Sequence, residues 1–168
     1  MQPDPARTAP TPRSLRLPDE GATAAFAQAL WPHLRPGDVI ALSGPIGAGK
    51  TAFARALIQH ALAQEGRIED VPSPSFTLVQ TYPTRRAEIW HADLYRLAGP
   101  RDCDELGLDD AFAHAITLVE WPDRLGDEMP PGALWLDFAA EATGEARHLT
   151  ISATDPRWQP VLAGIDHV

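Results

Sequence analysis

Apolar residues recur at Ala22, Ala25, Phe26, Ala29 and Leu30. That is the i, i+3, i+4, i+7, i+8 stripe of a helix with one buried face, and it predicts a helix over 19–31. Asp19, after Pro18, reads as its N-cap, and Pro32 with Arg35-Pro36-Gly37 ends it. Val39-Ile40-Ala41-Leu42 is a short apolar run between turn residues, the mark of a buried strand. A second helical stripe runs through Ala54, Leu57, Ile58 and Ala61. SFTLVQTY (75–82) and EIWHADLY (88–95) read as strands, and the turn Pro83–Ala87 between them predicts a hairpin. After Gly99-Pro100 come short helices over 102–114, then AITLVE (115–120), a buried strand with an acid at its end. ALWLDF (133–138) and HLTISA (148–153) read as a late pair of strands, followed by a short amphipathic segment around Trp158, Val161 and Leu162. Strands with helices between them predict a three-layer α/β fold whose central sheet is mostly parallel and carries one antiparallel hairpin.

Composition narrows this picture. The first 14 residues carry Pro3, Pro5, Pro10 and Pro12 and no apolar pattern, so 1–14 reads as a disordered tail and 15–168 as a single domain. No apolar run approaches the ~20 residues of a membrane-spanning helix, and the opening residues lack the apolar stretch of a secretory signal. A single cysteine, Cys103, fits a reducing cytoplasm. The formal net charge of −9 excludes the basic footprint of a nucleic-acid binder, so an anionic ligand must be held locally against the overall field. Of the 14 Lys plus Arg residues only Lys50 is a lysine, and the chain has no asparagine.

Lys50 falls within Gly44-Pro45-Ile46-Gly47-Ala48-Gly49-Lys50-Thr51, a G-x-x-x-x-G-K-[ST] segment with an apolar strand before it and a helix after it. Glycines let such a loop curl with its N–H groups inward, and the helix N-terminus adds partial positive charge. Lysine then reaches the β- and γ-phosphates, and the Thr51 hydroxyl is placed to ligate Mg²⁺. The fold expected is therefore that of a P-loop NTPase.

A phosphate loop needs a carboxylate to hold Mg²⁺ or orient water. Glu120 follows Ile116-Thr117-Leu118-Val119 and emerges at the C-terminal end of a buried strand, where open α/β sheets bind ligands. Asp93 shares a strand face with Ile89, His91 and Tyr95. A structural hydrogen bond to His91 or Arg96 is the competing reading of Asp93. Trp121 is either beside the nucleotide or ordinary packing, Ser73–Thr77 either a nucleotide-sensing loop or a stiff turn, and His91 more simply a satisfied structural histidine than a base. Without asparagine or a second lysine the guanine-reading N-K-x-D segment cannot exist, which favours ATP. A small-molecule P-loop kinase remains the alternative, although no arginine-rich lid is evident.

These segments together resemble the TsaE (YjeE) family of small bacterial ATPases in tRNA threonylcarbamoyladenosine biosynthesis. The resemblance runs from about Leu17 to Ala153. It rests on Leu17-Pro18-Asp19-Glu20 with Thr23, the Gly44–Thr51 loop, Ser73-Pro74-Ser75-Phe76-Thr77-Leu78-Val79, His91-Ala92-Asp93-Leu94-Tyr95-Arg96-Leu97, Glu105-Leu106-Gly107-Leu108 and Leu118-Val119-Glu120-Trp121-Pro122. Ser75 departs from the family's more frequent threonine, and Pro45-Ile46 from Asp-Leu. The resemblance implies that Lys50 and the loop backbone hold ATP phosphates, that Thr51 and Glu120 ligate Mg²⁺, and that Asp93 is needed for hydrolysis. It also implies that Trp121 lies close to the site and that Thr23 helps frame the base. It further implies a weak ATPase that acts on the TsaB–TsaD pair and meets tRNA only through that complex.

Overall fold

A computed structural model describes residues 12–142 and 144–165. Seven strands form one sheet: β1 (Arg13–Leu17), β2 (Val39–Ser43), β3 (Val79–Pro83), β4 (Glu88–Asp93), β5 (Ile116–Glu120), β6 (Leu134–Ala140) and β7 (Arg147–Ser152). The helices are α1 (Glu20–Leu30), α2 (Lys50–Ala63), α3 (Pro100–Cys103), α4 (Leu108–His114) and α5 (Trp158–Gly164). The strand order is β1-β7-β6-β2-β5-β4-β3. The four central strands run parallel, β2 pairing with β5 and β6, and β4 with β5. Antiparallel pairs flank them on both sides: β6 with β7, β7 with β1, and the β3–β4 hairpin. The parallel core, the hairpin and the late pair of strands expected from the sequence are all present, and β1 extends the β6–β7 flank by one more antiparallel strand.

The near-continuous apolar runs of β2 and β5 follow from burial on both faces. Ile40 and Leu42 of β2, Ile116 and Leu118 of β5, and Leu134, Leu136 and Phe138 of β6 pack against Phe26 of α1, Phe53 and Leu57 of α2, and Trp158 of α5. Phe53 lies between Phe26 and Phe138, with ring centroids 5.8 and 5.9 Å away. The alternate residues Val39, Ala41, Ala92 and Val119 face the opposite layer, with Cys103, Leu108, Leu125 and Met129. Each aliphatic side chain buried this way contributes about 1.5–3 kcal/mol, and their alternation leaves no freedom to slip register.

Three local expectations require correction. Of the tail expected over 1–14, Arg13 and Ser14 belong to β1, where they pair with Ile151 and Thr150; residues 1–11 lie outside the described residues. The strand expected from Ser75 begins only at Val79. Leu78 takes a φ of +68° and donates its N–H to the Pro74 carbonyl at 2.7 Å, so 74–78 closes a turn. The strand expected through Tyr95 stops at Asp93. The predicted α1 N-cap is present, with Asp19 Oδ1 accepting from Ala22 N at 2.8 Å.

The C-terminal segment is fastened at the opposite end of the sheet from the glycine loop. Arg157 pairs with the buried Asp38 just ahead of β2 and lies 4.3 Å over the Trp158 ring. Trp158 Nε1 donates to the Gly132 carbonyl at 2.8 Å.

Candidate functional site

β2, β4 and β5 run parallel, so their C-terminal ends share one edge of the sheet. That edge carries Ser43, Asp93 and Glu120. The chain leaves β2 through Gly44–Gly49 and enters α2 at Lys50. Gly44 has a φ of +129°, and a Cβ there would overlap the Phe138 carbonyl oxygen. Only glycine lets the loop leave β2 so close to β6. Gly49 is the N-cap of α2 with a φ of +113°, and no side chain caps the helix. The first-turn N–H groups of a 14-residue helix are thus available to an anion, beside the positive end of its dipole.

A cleft of about 400 Å³ opens over this loop. Its walls include Ile46, Gly47, Gly49, Lys50 and Thr51, together with Asp93, Glu120 and Trp121 from the ends of β4 and β5. Lys50 is 5% exposed; its ammonium donates to the carbonyls of Gly44 and Pro45, the latter at 3.0 Å. It also sits 3.9 Å over the Trp121 ring. Burial lowers the Lys50 ammonium from its ordinary range, while Glu120 and Asp93 pull it back up. Ala48 is buried beneath the loop and donates its N–H to Pro45 O at 3.2 Å.

Glu120 is 2% exposed and divides its carboxylate between two neighbours. Oε1 accepts from the Thr51 hydroxyl at 2.6 Å. Oε2 lies 2.7 Å from His91 Nε2. Asp93 is the register partner of Glu120 across β4–β5. Its Oδ1 accepts from Tyr95 N at 3.0 Å, and its own N–H donates to Leu78 O at 2.9 Å. Burial pushes the Asp93 carboxyl above its usual range; the Tyr95 amide opposes this, and the Glu120 charge reinforces it. Two buried carboxylates beside a hydroxyl and an ammonium form a polar cluster in which a cation is electrostatically favoured.

The structure brings Lys50, Thr51, Asp93, Glu120 and Trp121 into one cleft with Ile46, Gly47 and Gly49 of the loop, whereas Gly44, Pro45 and Ala48 are not among its walls. Thr23 is not among the cleft walls; it is buried in α1, with its hydroxyl 3.5 Å from the Asp19 carbonyl. Glu20, one turn earlier, lines the cleft instead. Asp93 is hydrogen-bonded neither to His91 nor to Arg96 among the described contacts; the partner of His91 is Glu120. Sequence reasoning did not single out four of the cleft residues: Glu20, Ala52, Tyr95 and Arg147. Arg147 opens β7, and its guanidinium donates to Gly47 O at 3.3 Å. Only the antiparallel return of β7 along β6 brings it there, from 100 residues away. Ser73 and Ser75 bond each other at 3.1 Å outside the cleft walls, and the exposed Phe76 stacks under Arg96 at 4.9 Å.

A parallel-cored α/β sheet, a glycine loop leading into a helix, and acids at the neighbouring strand ends define a P-loop NTPase-like domain. The family model described as threonylcarbamoyl adenosine biosynthesis protein TsaE matches residues 17–149, and the chain belongs to the TsaE family. Among curated relatives, the tRNA threonylcarbamoyladenosine biosynthesis protein TsaE of Rickettsia bellii is 39% identical over 114 residues, covering 68% of this chain and 77% of the relative. The protein of the same name from Bacillus subtilis is 32% identical over 138 residues, covering 82% and 78%. The crystal structure of Bacillus subtilis YdiB superposes with a TM-score of 0.74 at 26% identity, covering 92% of this chain and 94% of that one. No helix among the described residues is long and apolar enough to cross a membrane.

Proposed function

We propose that this protein is a Mg²⁺-dependent ATPase of the machinery that makes tRNA N6-threonylcarbamoyladenosine, acting on the TsaB–TsaD pair and meeting tRNA only through that complex. The observation that carries the nucleotide reading is the 2.6 Å contact between the Thr51 hydroxyl, beside the glycine loop, and Glu120 at the end of β5. The names of the curated relatives carry the biosynthetic assignment.

The residues fit Mg²⁺ in a phosphate site. A hydroxyl and a carboxylate are the hard oxygen donors this ion takes, and it commonly uses one or two protein oxygens alongside phosphates and water. When bound, the metal neutralises charge that develops on the phosphate oxygens.

The chain's own groups then have distinct tasks. The Gly44–Gly49 backbone and the α2 N-terminus hold the phosphates. Thr51 and Glu120 hold the metal. The Lys50 ammonium moves from the Gly44 and Pro45 carbonyls to the terminal phosphates, and Asp93 orients the attacking water. Trp121 and Tyr95, with ring centroids 4.9 Å apart, wall the terminal-phosphate end. Glu20, which lines the cleft where Thr23 does not, is the α1 residue that faces the nucleotide. An acidic chain of net charge −9 suits work on a protein complex better than direct tRNA capture.

The test is ATP hydrolysis by the purified chain, alone and with a purified TsaB–TsaD pair. Slow turnover that the pair stimulates strongly, and that Glu120→Ala abolishes, supports the proposal. Absence of both stimulation and co-purification removes TsaB–TsaD as the client. Stoichiometric phosphorylation of a small-molecule acceptor without any protein partner would replace the ATPase reading with a kinase.

A further inference from the structure

His91 occupies a place where an aliphatic residue is the ordinary choice. It lies in the middle of β4, is 0% exposed, and pairs in register with Leu118. Ile89, two residues earlier on the same face, packs into the large apolar core. Burying an imidazole here has a visible cost, because Nδ1 is enclosed with no hydrogen-bond partner among the described residues. Packing alone does not explain retaining that orphan. The other ring nitrogen does: Nε2 lies 2.7 Å from Glu120 Oε2. Glu120 stands one strand over and two residues further along, the diagonal position that long side chains span.

The carboxylate accepts, so Nε2 carries the hydrogen, and in the neutral ring Nδ1 is then a bare lone pair. This tautomer is also the less costly one for the orphan, since no N–H is left buried without an acceptor. With Oε2 held by His91, rotation about the last bond of Glu120 is blocked, and Oε1 is left facing the Thr51 hydroxyl at 2.6 Å. Both residues are sealed from water, so no solvent molecule can substitute for the imidazole as donor.

We infer that His91 is a positioning residue whose Nε2–H holds the Glu120 carboxylate turned toward Thr51, fixing the pair of oxygen donors that a divalent cation needs. The inference rests on the metal-nucleotide reading of the cleft. Donors behind a metal ligand typically account for 10–100-fold in metal affinity or activity.

The test measures ADP binding by calorimetry, with and without Mg²⁺, in the full-length chain. In the wild type Mg²⁺ tightens ADP binding. In His91→Phe that gain falls about 10-fold or more, while metal-free ADP affinity stays within about twofold. His91→Gln, whose amide nitrogen reaches the Nε2 position, restores most of the gain. His91→Asn, whose amide reaches only the Nδ1 position, does not, and the Gln–Asn pair decides the matter if the Phe variant fails to fold. A full Mg²⁺ gain in His91→Phe or His91→Asn, with Glu120→Gln losing it, overturns the role of His91 and leaves the nucleotide reading standing. Wild-type binding of ADP without any effect of Mg²⁺ overturns both.

Discussion

The ammonium of Lys50 lies 3.9 Å from the centroid of the Trp121 ring, and Trp121 reaches that place with a backbone φ of +60°. An L-residue in this region bears a penalty of about 1–2 kcal/mol. The backbone flip follows Glu120 directly and is held by Trp121 N donating to Leu42 O at 3.3 Å. It turns the indole over the loop lysine while the side chain still packs against the apolar cluster around Val39, Ala41 and Val119. Nucleotide that draws Lys50 away from the ring therefore alters the surroundings of the indole. Tryptophan emission is expected to change on addition of Mg-ATP, and Trp121→Phe to abolish that change although the other four tryptophans remain.

Removing any of three charged groups from the cleft should impair turnover. Lys50→Ala, Asp93→Ala and Glu120→Ala are each expected to lower steady-state ATP hydrolysis by about 10²-fold or more, the scale of losing one preorganised charge. Asp93→Ala hydrolysing like the wild type would take Asp93 off the list of working residues.

The Asp93 carboxyl sits above its usual range because it is buried and faces Glu120. An ionised Asp93 thus costs the native state stability at neutral and alkaline pH, and protonation relieves that cost as pH falls through the raised folded-state value. Asp93→Asn should accordingly melt higher than wild type near pH 8. The difference should shrink as the solution is acidified, which calorimetric melting across pH reads directly. A domain of this size shifts about 2–4 °C per kcal/mol.

Two of the three loop glycines should respond differently to alanine. Gly44→Ala meets the Phe138 backbone as well as an unfavourable φ, and should cost more than about 3 kcal/mol. Gly47 has a φ of +77° with open space around it, so Gly47→Ala should cost only about 1–2 kcal/mol. Urea denaturation of the two variants makes the comparison.

Arg157 and Asp38 fasten α5 to the sheet through a largely buried pair. Arg157→Met leaves the Asp38 carboxylate enclosed without its cation and should destabilise by roughly 3 kcal/mol. Adding Asp38→Asn should recover part of that loss, because the uncompensated charge is then gone. A simple sum of the two single-variant losses would show that the residues are not coupled.

The parts of this molecule written in consecutive residues were legible in advance. The α1 stripe, the glycine loop between β2 and α2, and the acid ending β5 are each set by a local pattern. β1 was hidden because RSLRL alternates weakly and follows a proline-rich stretch; its partner β7 lies at least 130 residues away. The turn at 74–78 was hidden because Ser-Phe-Thr-Leu has strand propensity, and the left-handed φ of Leu78 overrides it. Arg147 reaches the cleft only through the antiparallel return of β7. His91 could be placed on the face of Asp93 by alternation, but its bond to Glu120 depends on β4 lying beside β5, which no local pattern reveals.

The sole lysine of the chain stands beneath Trp121 at the mouth of α2. Every other cationic side chain is a guanidinium or an imidazole, so one primary amine is present apart from the terminal one. Reductive methylation with isotopically labelled formaldehyde would thus place a single side-chain reporter, and its resonance would originate inside the cleft. Amine chemistry, which scatters labels over the surface of most proteins, becomes here a way to address one functional group in the unmutated chain.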